Sequence, residues 1–579
     1  MSIKNRLRFI KPLVREIQFR LFKNQGEEIL KKEVIDSQQQ WKDIADNSED
    51  YLKELEQVPD KSNILFVTGY GLGAHFLRIE PIIMMALHTR GCNIVSLYCN
   101  KSLPACEFNP VGNNIPSGLY DLKEGLTDES ICYRCNKCRG NVKTTYSNLP
   151  IELHGYEEFL SRDDYKLAYD LSLKVNFEGF RTYVFNDIKV GEEAFASILR
   201  VTFMGEVKDT RINRHLVQRY IMSGILTSIA YGKAYKHLNP DKVVCIHGIY
   251  QTHGLAVKVA NKLNIPVVVI GGGGIRKDTV VVCHNETYHH QLVNESNEVW
   301  EQFDVTASER EKTLDYALKK RNSGNGADYL SYHPNPIEDV DVLYEYCKID
   351  RSRKIVSLYT NVIWDAQILY QGNAFRDIFD WLVLTIEEFG KNVNVWVVIR
   401  IHPAESKGGL PTNQPMLPEI NNYFKTLPPN VRIIPPESDI SSYTLARESI
   451  ANIIYGTKMG LEIALMKKPL IVCGETFSRN KGYGIDINDK ETYIRLLKDI
   501  HNYNFEADAE KRFERAMKYA HFFYFRKMMD MPFNSSSKER KLSFDALEEL
   551  SENNNETLDV ICRGIMQLSD FYIGVKESV

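Results

Sequence analysis

No apolar run in this 579-residue chain approaches the roughly eighteen residues that a membrane-spanning helix needs. The N-terminus is basic, but no signal-peptide hydrophobic region or small-residue cleavage site follows it. These two absences predict a cytoplasmic protein. Charge of neither sign dominates: 72 Lys and Arg stand against 76 Asp and Glu, for a formal net charge of −4. That balance gives no electrostatic reason to expect nucleic acid as a partner. Cysteine is sparse, at 11 residues, which is too few for a disulfide scaffold. There is no solenoid-period repeat and no low-complexity tract. Aromatic residues are plentiful instead, with 31 Tyr and 26 Phe. The length allows about three or four domains, or two large ones with additions.

The first two dozen residues carry Lys4, Arg6, Arg8, Lys11, Arg15, Arg20 and Lys23 against a single acid, Glu16. From Pro12 onward Leu13, Val14, Ile17 and Leu21 fall on one helical face. Two readings stay open for this segment, taken as residues 1–60. One is a helix on the anionic cytoplasmic face of the inner membrane; the other is a helix docked on the protein's own body. A β-rich run, Asn63–Thr68, then leads into Gly69-Tyr70-Gly71-Leu72-Gly73-Ala74-His75 and a helical pattern. A second run follows at Asn93–Tyr98. Strand, glycine loop, helix and strand open a doubly wound domain, set here at 61–325. Gly71 and Gly73 let a backbone approach a ligand closely. His75, at the mouth of the loop, is read either as a structural histidine or as a base.

A Cys-rich insert interrupts this domain at 99–140. Cys132, Cys135 and Cys138 repeat at a spacing of three, with Cys99 and Cys106 upstream. Cys106, Cys132, Cys135 and Cys138 together have the makings of a tetrahedral thiolate site, with zinc as the default and an iron–sulfur cluster as the alternative. Cys99 is the weaker fourth ligand because it ends a predicted strand. Four thiolates leave zinc no open position, so the role expected is structural. The other reading is a set of loop thiols.

Two further strand–helix units come later. Lys242–Ile246 delivers His247-Gly248, and Val267–Ile270 delivers Gly271 through Gly274. Gly273, Gly274 and Arg276 are placed in an acceptor cleft with Gly71 and Gly73. A run at Thr279–Val282 leads to His284 and Tyr288-His289-His290. His247 and His284 stand behind His75 as candidate catalytic bases. A polar segment, Arg321–Gly326, reads as a linker.

The second domain, at 350–505, alternates short apolar strands with amphipathic helices, the pattern of a parallel doubly wound sheet. Its strands end in polar groups. One delivers Arg400, His402, Pro403 and Glu405, and another delivers Gly456, Thr457 and Lys458, with Glu462 on the helix that follows. Ser441 and Ser442 lie on a helix between them. Open α/β sheets bind ligands at the carboxyl ends of their strands. The helical tail at 506–579 is expected to pack across both domains.

Two such domains facing across a cleft make the GT-B arrangement, an α/β fold with N- and C-terminal helical additions. The second half resembles the capsule polysaccharide biosynthesis glycosyltransferases, the group that includes the Kdo transferases, and more distantly the bacterial sialyltransferases. Arg400-x-His402-Pro403, Gly456-Thr457-x-x-Gly460-x-Glu462-x-Ala464, Lys468-Pro469-Leu470-Ile471 and Tyr483-Gly484 carry the resemblance. In the first half it rests on Leu103-Pro104-Ala105-Cys106, the Cys triple, Arg276-Lys277, His284 and Thr287-Tyr288-His289. It implies a nucleotide-sugar donor, CMP-, UDP- or GDP-linked, with His402 on phosphate or ribose and Gly456 and Thr457 on phosphate. Helix N-terminal amides at that point favour an anion, and Arg400 and Lys458 add charge. Glu462 is placed on ribose hydroxyls. Gly456-Thr457 departs from the Ser-Thr or Ser-Ser of many relatives.

The expected activity is metal-independent transfer of a sugar to a glycan acceptor, lipid-linked in the fullest form of the expectation, in capsule or O-antigen assembly. The alternatives are a GT-B-like nucleotide-sugar epimerase or a phosphopolyol transferase, and a non-enzymatic nucleotide-sugar or glycan binder.

Overall fold

In the computed structural model, residues 34–57, 62–69, 71, 78–107, 133–272, 275–321, 336–407, 412–532 and 542–574 are described. The basic segment before residue 34, the 322–326 part of the linker, and Gly73, His75, Cys132, Gly273 and Gly274 lie outside them.

The chain builds two sheets. The strands of the first are β1 (Asn63–Thr68), β2 (Asn93–Tyr98), β3 (Ile151–Gly155), β4 (Lys242–Ile246), β5 (Val267–Gly272) and β6 (Thr279–His284). Those of the second are β7 (Lys354–Tyr359), β8 (Val395–Arg400), β9 (Val431–Ile434), β10 (Ser449–Ile454), β11 (Leu470–Val472) and β12 (Ile485–Asp486). A last short strand, β13 (Met529–Asp530), returns to the first sheet. The orders are β13-β6-β5-β4-β1-β2-β3 and β12-β11-β10-β7-β8-β9. Each contains the 3-2-1-4-5-6 sequence of a doubly wound domain, so each winds outward from a central pair. That pair is β1 and β4 in one sheet and β7 and β10 in the other.

Burial explains why these runs are strands. β8 is buried at every position, and β1, β2 and β7 at every position after the first. Strands covered on both faces read as continuous apolar runs. Alternate side chains serve opposite layers. In the first sheet Ile64 and Phe66 face a core with Trp41, the helix Glu80–His88 and Ile561. Leu65 and Val67 face the long helix Arg211–Leu238. In the second sheet Ile355 and Tyr359 pack toward the helix Ala509–Phe522, while Val356 and Leu358 pack toward the helix Ile378–Lys391.

Helix starts follow capping chemistry. Asp377 accepts from Asp380 N at 2.8 Å, which starts the following helix at Ile378. Ser441 accepts from Tyr443 N and Thr444 N, so that helix runs Ser442–Glu448.

β6 runs antiparallel to β5, pairing Val268 with His284 and Gly272 with Val280. Its end therefore lies at the amino edge of β5, away from the carboxyl edge where the parallel strands end. The C-terminal segment crosses both units. Ala509–Phe522 packs on the helix Met459–Leu465, β13 pairs with β6, and Glu556–Gln567 packs on Glu80–His88. No helix among the described residues is long and apolar enough to cross a membrane.

Candidate interdomain site

The crevice of the second sheet opens where β7 and β10 part. Asn361, just past β7, donates from Nδ2 to Gly456 O at 2.7 Å and accepts Val362 N at 2.9 Å on Oδ1. The side chain thus clamps the loop after β10 to the loop after β7. Gly456 has φ of +65°, a conformation L-residues enter at a cost. Thr457 is buried, and its carbonyl accepts Thr476 Oγ1 at 3.3 Å. Lys458 is exposed at the start of the helix Met459–Leu465. Glu462 accepts Tyr443 OH at 2.7 Å.

β8 contributes two different kinds of residue. His402 N donates to Thr360 Oγ1 at 3.0 Å, and its ring Nδ1 accepts Ala404 N at 3.1 Å. A neutral imidazole whose Nδ1 accepts carries its proton on Nε2, so His402 presents a donor. Arg400, at 2 % exposure, turns beneath the site. Its guanidinium donates to Pro435 O at 2.5 Å, Ser438 O at 3.0 Å and Ser442 Oγ at 3.3 Å. Burial lowers its pKa to about 10, which still leaves a cation at neutral pH. The geometry makes Arg400 a tie for the 435–442 loop, where the sequence suggests a phosphate ligand. Ser441 and Ser442 are likewise engaged in the cap and in this tie. Glu405 accepts Met416 N at 3.0 Å, and burial pushes its carboxyl up to about 7. Pro403 is buried at the head of the turn Ala404–Lys407.

On the first sheet, Gly69 and Gly71 sit under close cover. A Cβ on Gly69 would stand 2.4 Å from His253 Nε2, and one on Gly71 2.1 Å from Cys138 O. Asn141 Nδ2 donates to Gly71 O at 2.8 Å. Behind this loop Glu80 is buried, accepts Thr68 Oγ1 and Tyr146 OH at 3.2 Å each, and is pushed up to about 8 by burial.

His247 ends β4 with φ of +65°. Its ring lies 5.4 Å from Tyr250, 5.6 Å from Tyr288 and 5.6 Å from His289. Thr287 Oγ1 donates to His247 O at 2.9 Å. His289 is held neutral: burial first, then His290 and Lys458, lower its pKa to about 3. The Lys458 effect reaches across from the second sheet. His290 Nε2 meets Leu369 O at 2.8 Å, and its ring packs edge-on to Tyr370 at 5.0 Å. Segment 363–373, from the loop after β7, therefore bridges the two domains. Trp364 stacks edge-on with Phe203 at 5.1 Å beneath Arg200, and Ile368 packs by Ile249 and Tyr250.

His284 and Arg276 are placed elsewhere. Because β6 is antiparallel, His284 emerges at the far edge of the sheet. Its Nε2 meets Ser569 O at 2.9 Å, and its ring lies 4.5 Å from Phe571. The chain then doubles back over β5, which returns Tyr288 against Gly271. Arg276 is tied to Met528 O and Asp530 of the C-terminal segment. Cys135 is disulfide-bonded, and Cys106 and Cys138 are not. A disulfide sulfur offers no thiolate, so Cys135 in this state does not fit a tetrathiolate centre. Among the described residues no three His, Cys, Asp or Glu gather as a metal site.

Three participants escaped the sequence reading of the site. Tyr370 belongs to the bridge, against His290, and Asn373 Nδ2 donates to Glu475 Oε2 at 2.7 Å beside the loop after β10. Glu475 alone carried a signal, as an acid after the glycine that ends an apolar strand.

No family model matches the chain, and no curated protein matches it. Among solved structures, the chain is similar to the beta Kdo 2,4 transferase KpsC of Thermosulfurimonas dismutans. That match has 14% identity and a TM-score of 0.29, over 45% of this chain and 78% of that one. The glycosyltransferase SnogD of Streptomyces nogalater matches at 14% identity and a TM-score of 0.22, over 79% and 95%. The UDP-GlcNAc 2-epimerase of Methanocaldococcus jannaschii, in complex with UDP-GlcNAc and UDP, matches at 16% identity and a TM-score of 0.25, over 52% and 81%. Scores this low leave any assignment to the geometry of the chain itself.

Proposed function

We propose that the protein is a glycosyltransferase that moves a sugar from a nucleotide-sugar donor to a glycan acceptor. The observation that carries this reading is the pairing of two 3-2-1-4-5-6 sheets, with residues from the loop after β7 in contact with residues after β4 and β6. Strand order places a ligand crevice at each switch point. In this reading the donor sits on one side of the bridge between them and the acceptor on the other.

The donor lies on the second sheet. His402 offers Nε2–H to a phosphate oxygen, Lys458 supplies positive charge, and the Gly456–Thr457 backbone lets the nucleotide approach. Glu462, fixed by Tyr443, accepts ribose hydroxyls. Transfer needs charge stabilised on the leaving phosphate and a proton removed from the acceptor hydroxyl. On the first sheet His247 is the base for that proton, and His75, outside the described residues, is the other candidate from the sequence. His247 is held through its carbonyl by Thr287 and backed by Tyr288. The acceptor is proposed to be a lipid-linked glycan of a bacterial capsule or O-antigen, reached from the cytoplasmic membrane face through the basic N-terminal segment.

A thermal-shift screen with UDP, GDP, CDP and CMP tests the donor site. A ligand at a hundredfold excess over its Kd adds about 2.7 kcal/mol of stability by mass action. Transfer from the matching nucleotide sugars to a lipid-linked glycan panel follows by mass spectrometry. Binding and transfer that both collapse in His402→Ala support the reading. A donor altered with no acceptor present supports an epimerase instead, and no binding of any nucleotide overturns the proposal.

A further inference from the structure

We propose that Glu475 and Asn373 form the subsite that reads the transferred sugar, and that this sugar presents hydroxyls and carries no carboxylate. The inference rests on the donor site proposed above and narrows its substrate class.

Glu475 follows β11, the neighbour of β10, and so shares a wall with the nucleotide loop. Its carbonyl oxygen lies 3.5 Å from where a Cβ on Gly456 would stand. Its carboxyl accepts Asn373 Nδ2 at 2.7 Å. That bond orients the amide and leaves Asn373 Oδ1 buried, with no hydrogen-bond partner among the described residues. A carboxyl and an amide oxygen therefore stand side by side, on the wall shared with the turn proposed to receive the phosphates. A sugar linked to that phosphate extends toward them, and hydroxyl hydrogens are what they bind. A buried acceptor left unpaired is costly, which gives the contact its selectivity.

Burial pushes the Glu475 carboxyl up, Tyr370 and Tyr455 both lie beside it, and Asp365 lies beside Tyr370. The nearest guanidinium, Arg479, donates to Gly372 O, Ile487 O and Asn488 Oδ1. It also lies in the fields of Glu475 and Asp486, and its Nη1 is buried with no hydrogen-bond partner among the described residues. A carboxylated sugar such as a CMP-linked ulosonate would meet the Asn373 Oδ1 and Glu475 acceptors where it needs donors. A hexose or N-acetylhexosamine on a nucleoside diphosphate meets complementary groups.

The test uses the full chain and calorimetric titration with UDP, GDP and CMP, then with UDP-glucose, UDP-GlcNAc, GDP-mannose, CMP-Kdo and CMP-Neu5Ac. The expected result is that a neutral-sugar diphosphate binds at least about tenfold tighter than its bare nucleotide, an increment one charge-assisted hydrogen bond accounts for. Glu475→Gln and Asn373→Ala are expected to remove that increment and leave the bare-nucleotide Kd within about twofold. Asn373→Ala keeps the test open should the change at Glu475 impair folding. A CMP-linked ulosonate that binds tighter than CMP overturns the proposal, as does a sugar increment unchanged in both variants. Absence of binding by every bare nucleotide overturns the donor site itself, and the two failures are thereby told apart.

Discussion

Arg400 is the residue whose expected role the structure changes most, and Arg400→Lys separates the two roles. Lysine keeps the charge but replaces a rigid fork of donors with a single ammonium. In the native chain the fork reaches two carbonyls, Pro435 O at 2.5 Å and Ser438 O at 3.0 Å, and one hydroxyl, Ser442 Oγ at 3.3 Å. The site is 2 % exposed, so water does not replace a lost donor. An ammonium on the shorter stem satisfies one carbonyl. The other carbonyl and the hydroxyl are left, at about 1–3 kcal/mol for an unpaired buried acceptor and less for the long bond. The sum is about 2–4 kcal/mol, lost from the domain that holds the crevice. Urea melts of wild type and variant read the loss, and amide hydrogen exchange localises it to 435–442. Nucleotide Kd, measured well below the melt, is expected to change less than about threefold because the guanidinium does not face the ligand. Unchanged stability together with a Kd raised by about tenfold or more would refute the tie and restore Arg400 as a phosphate ligand.

Gly456→Ala meets no steric block, since the new Cβ would sit 3.5 Å from Glu475 O and 3.7 Å from Asn361 Nδ2. The φ of +65° alone is expected to cost about 1 kcal/mol, with weakened nucleotide binding in the thermal-shift screen. Glu80 is pushed up to about 8 from 4.5, so the folded state holds a proton that the unfolded state releases. Its contribution is complete below pH 4.5 and is lost as pH rises through 8. Glu80→Gln should therefore gain stability relative to wild type between pH 5 and pH 9 in paired urea melts, and a constant difference would contradict the burial argument. Lys481 is fully buried against Glu295 O at 3.1 Å, beside Lys527 and Asp486, and burial lowers its pKa from 10.5 to about 8. Here the unfolded state binds the extra proton, so stability rises with pH between about 8 and 10.5. Lys481→Met should be more stable than wild type at pH 7 by up to about 3 kcal/mol, with the advantage shrinking toward pH 10. An advantage that grows with pH would reverse the sign.

The inner strands of both sheets were legible because they are buried on two faces, whereas the edge strands Ile151–Gly155, Ile485–Asp486 and Met529–Asp530 are part-exposed or only two residues long and were not read. Val395–Ile399 announces itself as an unbroken apolar run, and Ile450–Ile454 as one broken only by Asn452; a run bounded by polar turns needs no partner to be recognised. The ends of those runs were legible for the same reason: Gly456, Thr457 and His402 follow directly where the apolar residues stop. Strand direction was not. Thr279–His284 is as apolar as its neighbours, and nothing in its composition says that it pairs antiparallel with Val268–Gly272. Reversing it carries His284 to the opposite edge of the sheet, so a residue that sequence order groups with His247 is separated from it. Arg400 was misread by a related limit. Composition shows that a cation follows Ile399, but which way the guanidinium turns depends on Pro435 and Ser438, which come later in the chain and form no motif with it.

The bridge between the domains follows from the same logic and says the most about mechanism. Tyr370 meets His290, and Trp364 meets Phe203, across gaps in sequence that no local pattern spans. These contacts come from the loop after β7, whose first residues, Thr360 and Asn361, hold His402 and Gly456 in place. One loop thus positions the donor crevice at its start and grips the first domain in its middle. Any hinge motion that opens the cleft has to pull on it. Tyr370→Ala is therefore expected to loosen the grip without touching Asn361 or Gly456. Bare-nucleotide affinity should hold within about twofold while kcat falls by about tenfold or more, because orientation across the cleft is lost. Nucleotide affinity falling in step with kcat would mean that Tyr370 belongs to the donor crevice and not to the bridge.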